Sequence, residues 1–301
     1  MGLAWEQDAA SWPMSEASRF IEADGLRWHV QVYGQGPVAL LLHGTAASSH
    51  SWRDFGPILA QRYTVVAPDL PGHGFTAPAP RSLQTLGGAG AGIHALLNEL
   101  GLAPQIAIGH SIGAGVLARM SLDERVDLRA LVSLNGAFLP FRGLAGQIFP
   151  TTARLLTHNP LVPWWLAFRA RSRPFMAEVL RRTGSRLDDR GVELYQRLAT
   201  DPGHVAAALG MMARTHDDLY LLMEELPRLK PPLLLFVGAG DRTVPPVQAE
   251  RVRLRLPSAR LCVLPELGHL AHEERPGELV QRVEATIEEA APNSRGDVTP
   301  R

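Results

Sequence analysis

The chain has 301 residues, enough for one large α/β domain or two smaller domains with a substantial core. Its 30 basic residues balance its 30 acidic residues, so the net charge gives no indication of a nucleic acid or an acidic partner. The single cysteine, Cys262, excludes an internal disulfide and predicts a reducing compartment.

The amino-terminal segment, residues 1–17, lacks the features of a targeting sequence. The first residues, MGLAWEQDAASWPMSEASRF, contain no basic start followed by an apolar stretch, so no secretory signal is expected. No run in the chain reaches the roughly 18 uninterrupted apolar residues of a membrane span. Together with the lone cysteine, these features predict a cytoplasmic protein.

Apolar runs and helical stretches alternate along the chain. The segment RFIEADGLRWHVQVYG predicts two strands around a turn at Asp24-Gly25, and VALLLHG predicts a strand buried on both faces. Further strands are predicted in YTVVAPDL, IAIGHS, RALVSLNG, PPLLLFVGAGD and ARLCVLPELGH, with helical stretches between most of them. Repeated strand–helix units predict an α/β fold, with a mostly parallel sheet covered by helices on both faces.

Four glycines interrupt one of the predicted helical stretches. The sequence GGAGAG, residues 87–92, lies inside the stretch from Ser82 to Leu100. A glycine in a helix interior costs about 1 kcal/mol relative to alanine. We therefore expect this helix to be weak or broken at the glycines.

The segment IAIGHSIGAG, residues 106–115, contains the pattern G-x-S-x-G centred on Ser111. A serine on a tight turn between a strand and a helix needs neighbours without side chains, because the backbone passes close to itself there. Gly109 and Gly113 satisfy that requirement. The pattern is short enough to occur by chance, so its interpretation depends on partner residues elsewhere in the chain.

Two candidate partners follow later strands. Asp241 ends the strand LLLFVGAGD, and His269 follows ARLCVLPELGH. Because the carboxyl ends of parallel strands meet at one edge of a sheet, Ser111, Asp241 and His269 are expected to lie close together. Taken singly, Asp241 could cap the next helix and His269 could be an ordinary loop histidine. Their order along the chain, Ser then Asp then His, favours a catalytic triad.

The chemistry assigns a role to each member of this triad. His269 would accept the proton of Ser111, and Asp241 would hold the imidazole in the required tautomer. The backbone N–H groups of Ile112 and Thr45 are predicted to stabilise the negative oxygen of the tetrahedral intermediate. Metal catalysis is the alternative mechanism, but no carboxylate motif completes a ligand set around the pair His269 and His272. No metal or cofactor is predicted.

Several of these motifs are typical of one family. In LLHGTAASSHSW, VVAPDLPGHGFT, GHSIGAG, VGAGDRTVPP and LGHLAHEERP the chain resembles the α/β-hydrolase family, over roughly residues 18–291. The resemblance implies an α/β-hydrolase fold with a core at 18–136 and 215–291. The serine at the elbow argues against the dehalogenase and epoxide-hydrolase branches, which place an aspartate there.

A narrower resemblance involves HSWRDFGPIL and LNGAFLPFRGLAGQIFP, which are similar to segments of the magnesium-chelatase accessory proteins of bacteriochlorophyll synthesis. This resemblance implies a role near magnesium insertion into a porphyrin, with a Mg-porphyrin or its ester as the small-molecule substrate. It also implies transient contact with magnesium chelatase or a membrane surface, and no nucleic acid.

Two classes of function remain open. One is a serine hydrolase acting on an ester, thioester or amide, which the intact triad favours. The other is an accessory protein that binds a tetrapyrrole on a hydrolase scaffold, which the narrower resemblance favours.

The long insert between RALVSLNG and PPLLLFVG is predicted to form a helical cap over Ser111, at residues 137–214. Its apolar segments PLVPWWLAF, FMAEVLRRTG and HVAAALGMMART are unlike those of disordered chains, whereas the tail at 292–301 is predicted to be disordered. The candidate pocket residues are His43, Trp52, Trp164, Trp165, Phe168, Phe175, Met211 and Met212. Two alternatives stay open: the His43 side chain is structural, and most of the insert residues only pack the cap onto the sheet domain.

The insert also carries a concentration of arginine. Between Pro140 and Ala199 there are ten arginines, no lysine and four acidic residues, which gives 10 − 4 = +6 in a chain that is neutral overall. Such a run could form only a solvated helix face. Arginine also binds carboxylates and stacks on flat π-systems, so the segment could bind a porphyrin with carboxylate arms or an anionic membrane surface. The arginines are Arg142, Arg154, Arg169, Arg171, Arg173, Arg181, Arg182, Arg186, Arg190 and Arg197.

Overall fold

The computed structural model describes residues 2–140 and 159–290. Within these residues eight strands form one sheet, in the order β1-β2-β4-β3-β5-β6-β7-β8. Strands β1, β2 and β4 pair antiparallel, and all other neighbours pair in parallel. The predicted α/β fold with a mostly parallel sheet is confirmed. The strands are β1 (Ser18–Ala23), β2 (Leu26–Tyr33), β3 (Val38–Leu42), β4 (Thr64–Pro68), β5 (Ile106–His110), β6 (Ala130–Leu134), β7 (Leu233–Gly238) and β8 (Arg260–Leu264).

Helices cover both faces of this sheet and make up most of residues 159–232, before β7. They are α1 (Trp5–Asp8), α2 (Phe55–Leu59), α3 (Leu86–Leu100), α4 (Ile112–Leu122), α5 (Leu161–Ala170), α6 (Arg173–Arg182), α7 (Asp189–Ala199), α8 (Pro202–Glu225), α9 (Val247–Arg255), α10 (Ala271–Glu274) and α11 (Pro276–Ala290). Short 3-10 helices lie at Ala9–Ser11, Ser15–Ala17, Ser49–Trp52, Arg81–Gln84 and Leu226–Arg228. None of the helices in the described ranges is long and apolar enough to span a bilayer.

The central strands are apolar because both of their faces are covered. Every residue of β5, β6 and β7 is buried, and alternate side chains along these strands enter the two main core clusters on opposite sides of the sheet. The turn between β1 and β2 has positive φ at both Asp24 (49°) and Gly25 (70°), as a tight two-residue hairpin requires.

The glycine-rich helix differs from the sequence prediction. Helix α3 is continuous over 15 residues, so the glycines do not break it, and a low stability of this helix stays a prediction. Three of the four glycines allow close packing: a Cβ would lie 1.8 Å from the Ser82 oxygen at Gly88, and 2.7 Å from Met120 Cγ at Gly90. At Gly92 the Trp28 ring would be 2.8 Å away. Close packing against neighbouring elements compensates for the low helix propensity of these glycines.

The helical segment is fastened to the sheet by a buried polar contact. The Glu273 carboxylate, at α10, accepts hydrogen bonds from Tyr195 Oη of α7 (2.8 Å), from Ser51 Oγ (2.5 Å) and from Arg53 Nη1 (2.6 Å). Both charged side chains are buried, with exposed fractions of 8% for Arg53 and 0% for Glu273. We name this set the α7–α10 contact.

The amino-terminal segment packs against the same helices. Arg197 of α7 forms an ion pair with Asp8, and Trp12 packs against Leu194 and Leu198. The predicted cap boundary at residue 214 falls inside α8, which runs without a break from Pro202 to Glu225. The first part of the predicted cap, residues 141–158, lies outside the described residues, as does the predicted tail at 292–301.

Candidate functional site

Ser111 lies in a sharp turn between β5 and α4. Its backbone has φ 51° and ψ −121°, a conformation that side-chain-bearing residues rarely adopt. Close packing requires the flanking glycines: a Cβ on Gly109 would lie 2.4 Å from the Ala114 nitrogen, and one on Gly113 would lie 2.3 Å from the Leu42 oxygen. The G-x-S-x-G pattern therefore builds a strained turn that presents the serine at the carboxyl end of β5.

The Asp241 carboxylate links the ends of β6, β7 and β8. Its Oδ2 accepts hydrogen bonds from His269 Nδ1 (2.8 Å) and Asn135 Nδ2 (2.7 Å), and its Oδ1 accepts them from the backbone N–H groups of Thr243 (2.7 Å) and Val244 (2.9 Å). Because an ionised carboxylate can only accept, Nδ1 of His269 carries the proton. The basic nitrogen of the neutral imidazole is then Nε2.

Asn135 is a site residue that none of the motifs reveals. It directly follows β6, has a φ of 51° and is almost completely buried. Its amide contributes one of the four hydrogen bonds that hold the Asp241 carboxylate. Ser111 and Asp241 are candidates because each is a polar residue at the carboxyl end of a parallel strand. Asn135 meets the same criterion.

His110 supports the backbone of His269. His110 Nε2 donates a hydrogen bond to the carbonyl oxygen of His269 (2.9 Å), and its ring lies 4.5 Å from that of His272. Burial lowers the pKa of His110 well below its usual value, and the neighbouring His272 and His269 lower this pKa further. A neutral His110 can therefore position His269 without adding a charge to the site.

A cavity of about 730 Å³ lies beside Ser111. Ser111, His269, Thr45 and Ile112 all line it. Its other walls are mainly apolar and come largely from the helices between β6 and β7. Side chains of this kind are Leu166, Phe175, Met176, Leu180, Leu209 and Met212.

The predicted oxyanion donors are close to the serine in the fold. Ile112 is the first residue of α4, where backbone N–H groups have no partner within the helix and the helix dipole is positive. Thr45 follows Gly44, and a Cβ on Gly44 would lie 3.0 Å from Ser111 Cβ. The chain after β3 therefore passes directly beside the nucleophile candidate.

Only part of the predicted pocket lines this cavity. Met212 and Phe175 do so, whereas Met211 is fully buried in the core of the sheet domain. Neighbouring residues of a helix differ by about 100° in direction, so Met211 and Met212 face different surroundings. Trp52 is also fully buried, and its ring packs at 4.8 Å from that of His272, outside the cavity lining.

His43 is structural and also lies outside the cavity lining. Its Nδ1 donates to the Gly44 oxygen (2.8 Å), and its Nε2 accepts from the Leu70 N–H (2.8 Å). Burial lowers the pKa of His43 to about 4. The neutral ring joins the loops after β3 and β4, which corrects its prediction as a pocket residue.

The aromatic residues of α5 lie outside the main cavity. Trp164, Trp165 and Phe168 are 67%, 60% and 66% exposed. Trp164 and Phe168 line a second cavity, of about 930 Å³, which is also lined by Trp5 of the amino-terminal segment and by Arg171. The prediction that these three side chains line the pocket around Ser111 therefore requires correction.

Most of the described arginines of the insert have acidic partners. Arg173 pairs with Asp189, Arg181 and Arg182 with Glu178, Arg190 with Glu193, and Arg197 with Asp8. Arg169 and Arg171 instead place their guanidinium groups over the rings of Phe175 and Phe168. Arg142 and Arg154 lie outside the described residues.

The chain belongs to the α/β-hydrolase family, whose model matches residues 39–282. Within the described part of the chain, no group of three or more His, Cys, Asp or Glu side chains is placed to hold a metal ion. The chain is 38% identical to the magnesium-chelatase 30 kDa subunit of Rhodobacter capsulatus over 267 residues, which cover 88% of this chain and 92% of that protein. It is 29% identical to a pimeloyl-acyl-carrier-protein methyl ester esterase of Methylococcus capsulatus, covering 83% and 96% of the two chains.

Solved structures agree on the fold. A thermophilic esterase from Thermogutta terrifontis superposes with a TM-score of 0.71 at 24% identity, covering 91% of this chain and 99% of the esterase. The epoxide hydrolase CorEH superposes with a TM-score of 0.75 at 20% identity, covering 90% and 98% of the two chains. At these identities the similarity supports the fold and carries no information about substrate.

Proposed function

We propose that the protein is a serine hydrolase that cleaves an ester, thioester or amide through an acyl-enzyme. The observation that carries the proposal is the hydrogen bond of 2.8 Å between His269 Nδ1 and Asp241 Oδ2. It leaves Nε2 as the basic nitrogen of a ring that shares one cavity with Ser111. The match to the α/β-hydrolase family and the similarity to a methyl ester esterase also support hydrolysis.

In the first half-reaction Ser111 Oγ attacks the carbonyl carbon of the substrate while His269 Nε2 takes the hydroxyl proton. The carbonyl oxygen becomes negative, and the N–H groups of Thr45 and Ile112 donate hydrogen bonds to it. The tetrahedral intermediate then collapses. The bond to the leaving alcohol, thiol or amine breaks, and that group takes the proton from His269.

The second half-reaction repeats these steps with water. His269 takes a proton from the water as its oxygen attacks the acyl-enzyme, and the carboxylic acid is released when the proton returns to Ser111. Asp241 keeps the imidazole in one tautomer and stabilises the positive charge that forms on it. The four donors around Asp241 suit this role, because they hold the carboxylate in one orientation.

Labelling with a fluorophosphonate probe tests the proposal directly. The wild-type protein should be labelled at Ser111 and should hydrolyse p-nitrophenyl esters, whereas Ser111→Ala and His269→Ala should lose turnover with little change in thermal unfolding. Ser82→Ala, at an exposed serine outside the cavity lining, is the matched control. Retained esterase activity in folded Ser111→Ala would show that another residue is the nucleophile.

A second candidate function is binding of a Mg-porphyrin for magnesium chelatase, in transient contact with that enzyme or with a membrane surface. The relative that is a magnesium-chelatase subunit favours it, and so does the second cavity with Trp164, Phe168 and Arg171 on its walls. Flat aromatic rings stack on such side chains, and a guanidinium group binds carboxylate arms. A hydrolase could combine both roles if the porphyrin carries the ester.

Absorbance titration with a Mg-porphyrin tests this candidate. Binding should weaken as salt rises, and the triple variant Arg169→Ala, Arg171→Ala, Arg173→Ala should bind more weakly than wild type. The double variant Arg181→Ala, Arg182→Ala removes two arginines that pair with Glu178 outside this cavity, and serves as the control. Equal binding by wild type and the triple variant would contradict this role of the arginines.

A further inference from the structure

The main cavity has an unusual distribution of charge. Among the described residues that line it there is no aspartate, glutamate or lysine, and one arginine, Arg242. His204, also in the lining, is kept neutral because burial lowers its pKa to about 4. Burial likewise lowers the pKa of His110 well below its usual value. Among the described lining residues other than histidines, the Arg242 guanidinium is therefore the one charged group of a mainly apolar site.

The backbone of Arg242 is fixed on both sides. Its N–H donates a hydrogen bond to the Thr183 oxygen (3.0 Å), at the end of α6. The preceding residue, Asp241, accepts hydrogen bonds from the N–H groups of the two residues that follow Arg242. The side chain thus starts from a turn that is held by hydrogen bonds and that also holds the Asp241 carboxylate.

No described residue forms an ion pair or a hydrogen bond with the Arg242 guanidinium, although the residue is exposed. This contrasts with exposed arginines of the neighbouring helices, such as Arg173 and Arg190, which have acidic partners. Arg53, which is buried, contacts three carboxylates. An arginine that lines the cavity and has no ion pair with a described residue can bind an anionic ligand.

We propose that Arg242 binds a carboxylate on the acyl chain of the substrate, so that the site prefers apolar esters that carry a second, anionic end. The inference rests on the proposed hydrolase function and specifies its substrate class. A guanidinium group binds a carboxylate through two parallel hydrogen bonds. The apolar walls would hold the chain between the ester at Ser111 and the carboxylate at Arg242, and acidic side chains that would repel such a substrate are missing from the described lining.

Matched pairs of p-nitrophenyl esters test the inference. Each pair compares the monoester of an aliphatic dicarboxylic acid, from butanedioic to decanedioic acid, with the neutral monocarboxylic ester of equal chain length. The measured quantity is the ratio of kcat/KM for the anionic ester to kcat/KM for the neutral ester. In wild type this ratio should peak at the chain length that spans from Ser111 to Arg242.

In Arg242→Gln the peak ratio should fall about 10- to 100-fold, the effect of losing hydrogen bonds between charged groups. Arg242→Lys should retain part of the ratio, because lysine keeps the charge but lacks the planar fork. Arg186→Gln, at an exposed arginine outside the cavity lining, should leave the ratio unchanged. An equal loss on both esters would mean a structural role for Arg242, and an unchanged ratio would mean no role; either result overturns the inference.

The test separates this inference from the hydrolase proposal. If wild type is labelled by fluorophosphonate and hydrolyses both esters without a preference, the hydrolase function stands and the role of Arg242 is wrong. If folded wild type is neither labelled nor active on any ester of the series, the hydrolase proposal fails and the inference fails with it.

Discussion

Gly113→Ala tests whether the packing of the elbow sets the catalytic geometry. A Cβ at Gly113 would lie 2.3 Å from the Leu42 oxygen and 2.7 Å from the His43 oxygen, closer than the 3.0 Å that real Cβ atoms keep. Because these atoms belong to the backbone of the central strand β3 and the loop after it, α4 must shift by about 1 Å to relieve the clash. Ser111 and the Ile112 N–H move with it, so their positions relative to His269 and Thr45 change.

A displacement of about 1 Å at a reacting group can reduce turnover by about 10²-fold. We expect this loss in kcat for p-nitrophenyl ester hydrolysis, normalised to the sites that react with fluorophosphonate. Overpacking should also lower the free energy of unfolding by about 1–3 kcal/mol, of which about 1 kcal/mol is offset by the higher helix propensity of alanine. Urea denaturation measures this change.

Gly87→Ala is the matched control, since it is also a glycine-to-alanine change within a helix. A Cβ at Gly87 meets no atom within 4 Å, so the substitution should raise the free energy of unfolding by about 0.5–1 kcal/mol and leave kcat unchanged. If Gly113→Ala retained kcat within about twofold of wild type, the elbow would tolerate the shift. Close packing at Gly113 would then not be required for catalysis.

The remaining predictions concern two carboxylates and the buried histidines. Asp241→Asn should lower kcat by about 10⁴-fold, because asparagine favours the wrong tautomer of His269. Steady-state kinetics measure this loss, and a loss below about tenfold would contradict the role of Asp241. Glu273→Ala should lower the free energy of unfolding in urea by about 1–3 kcal/mol, because Arg53 keeps Asp54 and Asp188 but loses Glu273, its one fully buried carboxylate partner, whereas the surface control Glu250→Ala should cost less than about 1 kcal/mol. Comparable costs for the two variants would refute that account. As pH falls below 6.5, the free energy of unfolding should decrease by about 1.4 kcal/mol per pH unit for each buried histidine, because the unfolded chain binds protons that the folded chain excludes. Thermal unfolding between about pH 7 and pH 4 measures this, and a midpoint independent of pH would contradict it. The histidines with a pKa lowered to about 3 or about 4 are His43, His73, His204 and His272.

Most of what the sequence can predict follows from the pattern of apolar residues and from the polar residues at the ends of strands. Buried parallel strands are short and wholly apolar, so β3, β5 and β7 are recognisable without any tertiary information. The geometry of parallel sheets then brings polar residues at strand ends together, and the structure joins Asp241 to His269 by a hydrogen bond. Nothing in this reasoning requires knowledge of a distant contact.

Other features depend on contacts that the sequence does not encode locally. Whether Met211 or Met212 faces the cavity depends on the rotation of α8 against the sheet, which a helix with apolar residues on several sides leaves undecided. The predicted cap boundary at residue 214 falls within α8, which continues to Glu225 with no proline or glycine after residue 214 to mark a break. The sequence also does not show why α3 tolerates Gly90, because Met120, which packs against it, lies on another helix.

The α7–α10 contact has a consequence for how substrates exchange. Moving α7 away from the sheet would break the buried hydrogen bond from Tyr195 Oη to Glu273 and would separate Val192 and Tyr195 from Ala47 and Leu270, at a cost of several kcal/mol. A state that costs about 4 kcal/mol is populated by roughly one molecule in a thousand at any moment. We therefore expect substrates to enter and products to leave while α7 stays in place. The size of an ester, and not the rate of an opening motion of α7, would then decide whether it reaches Ser111.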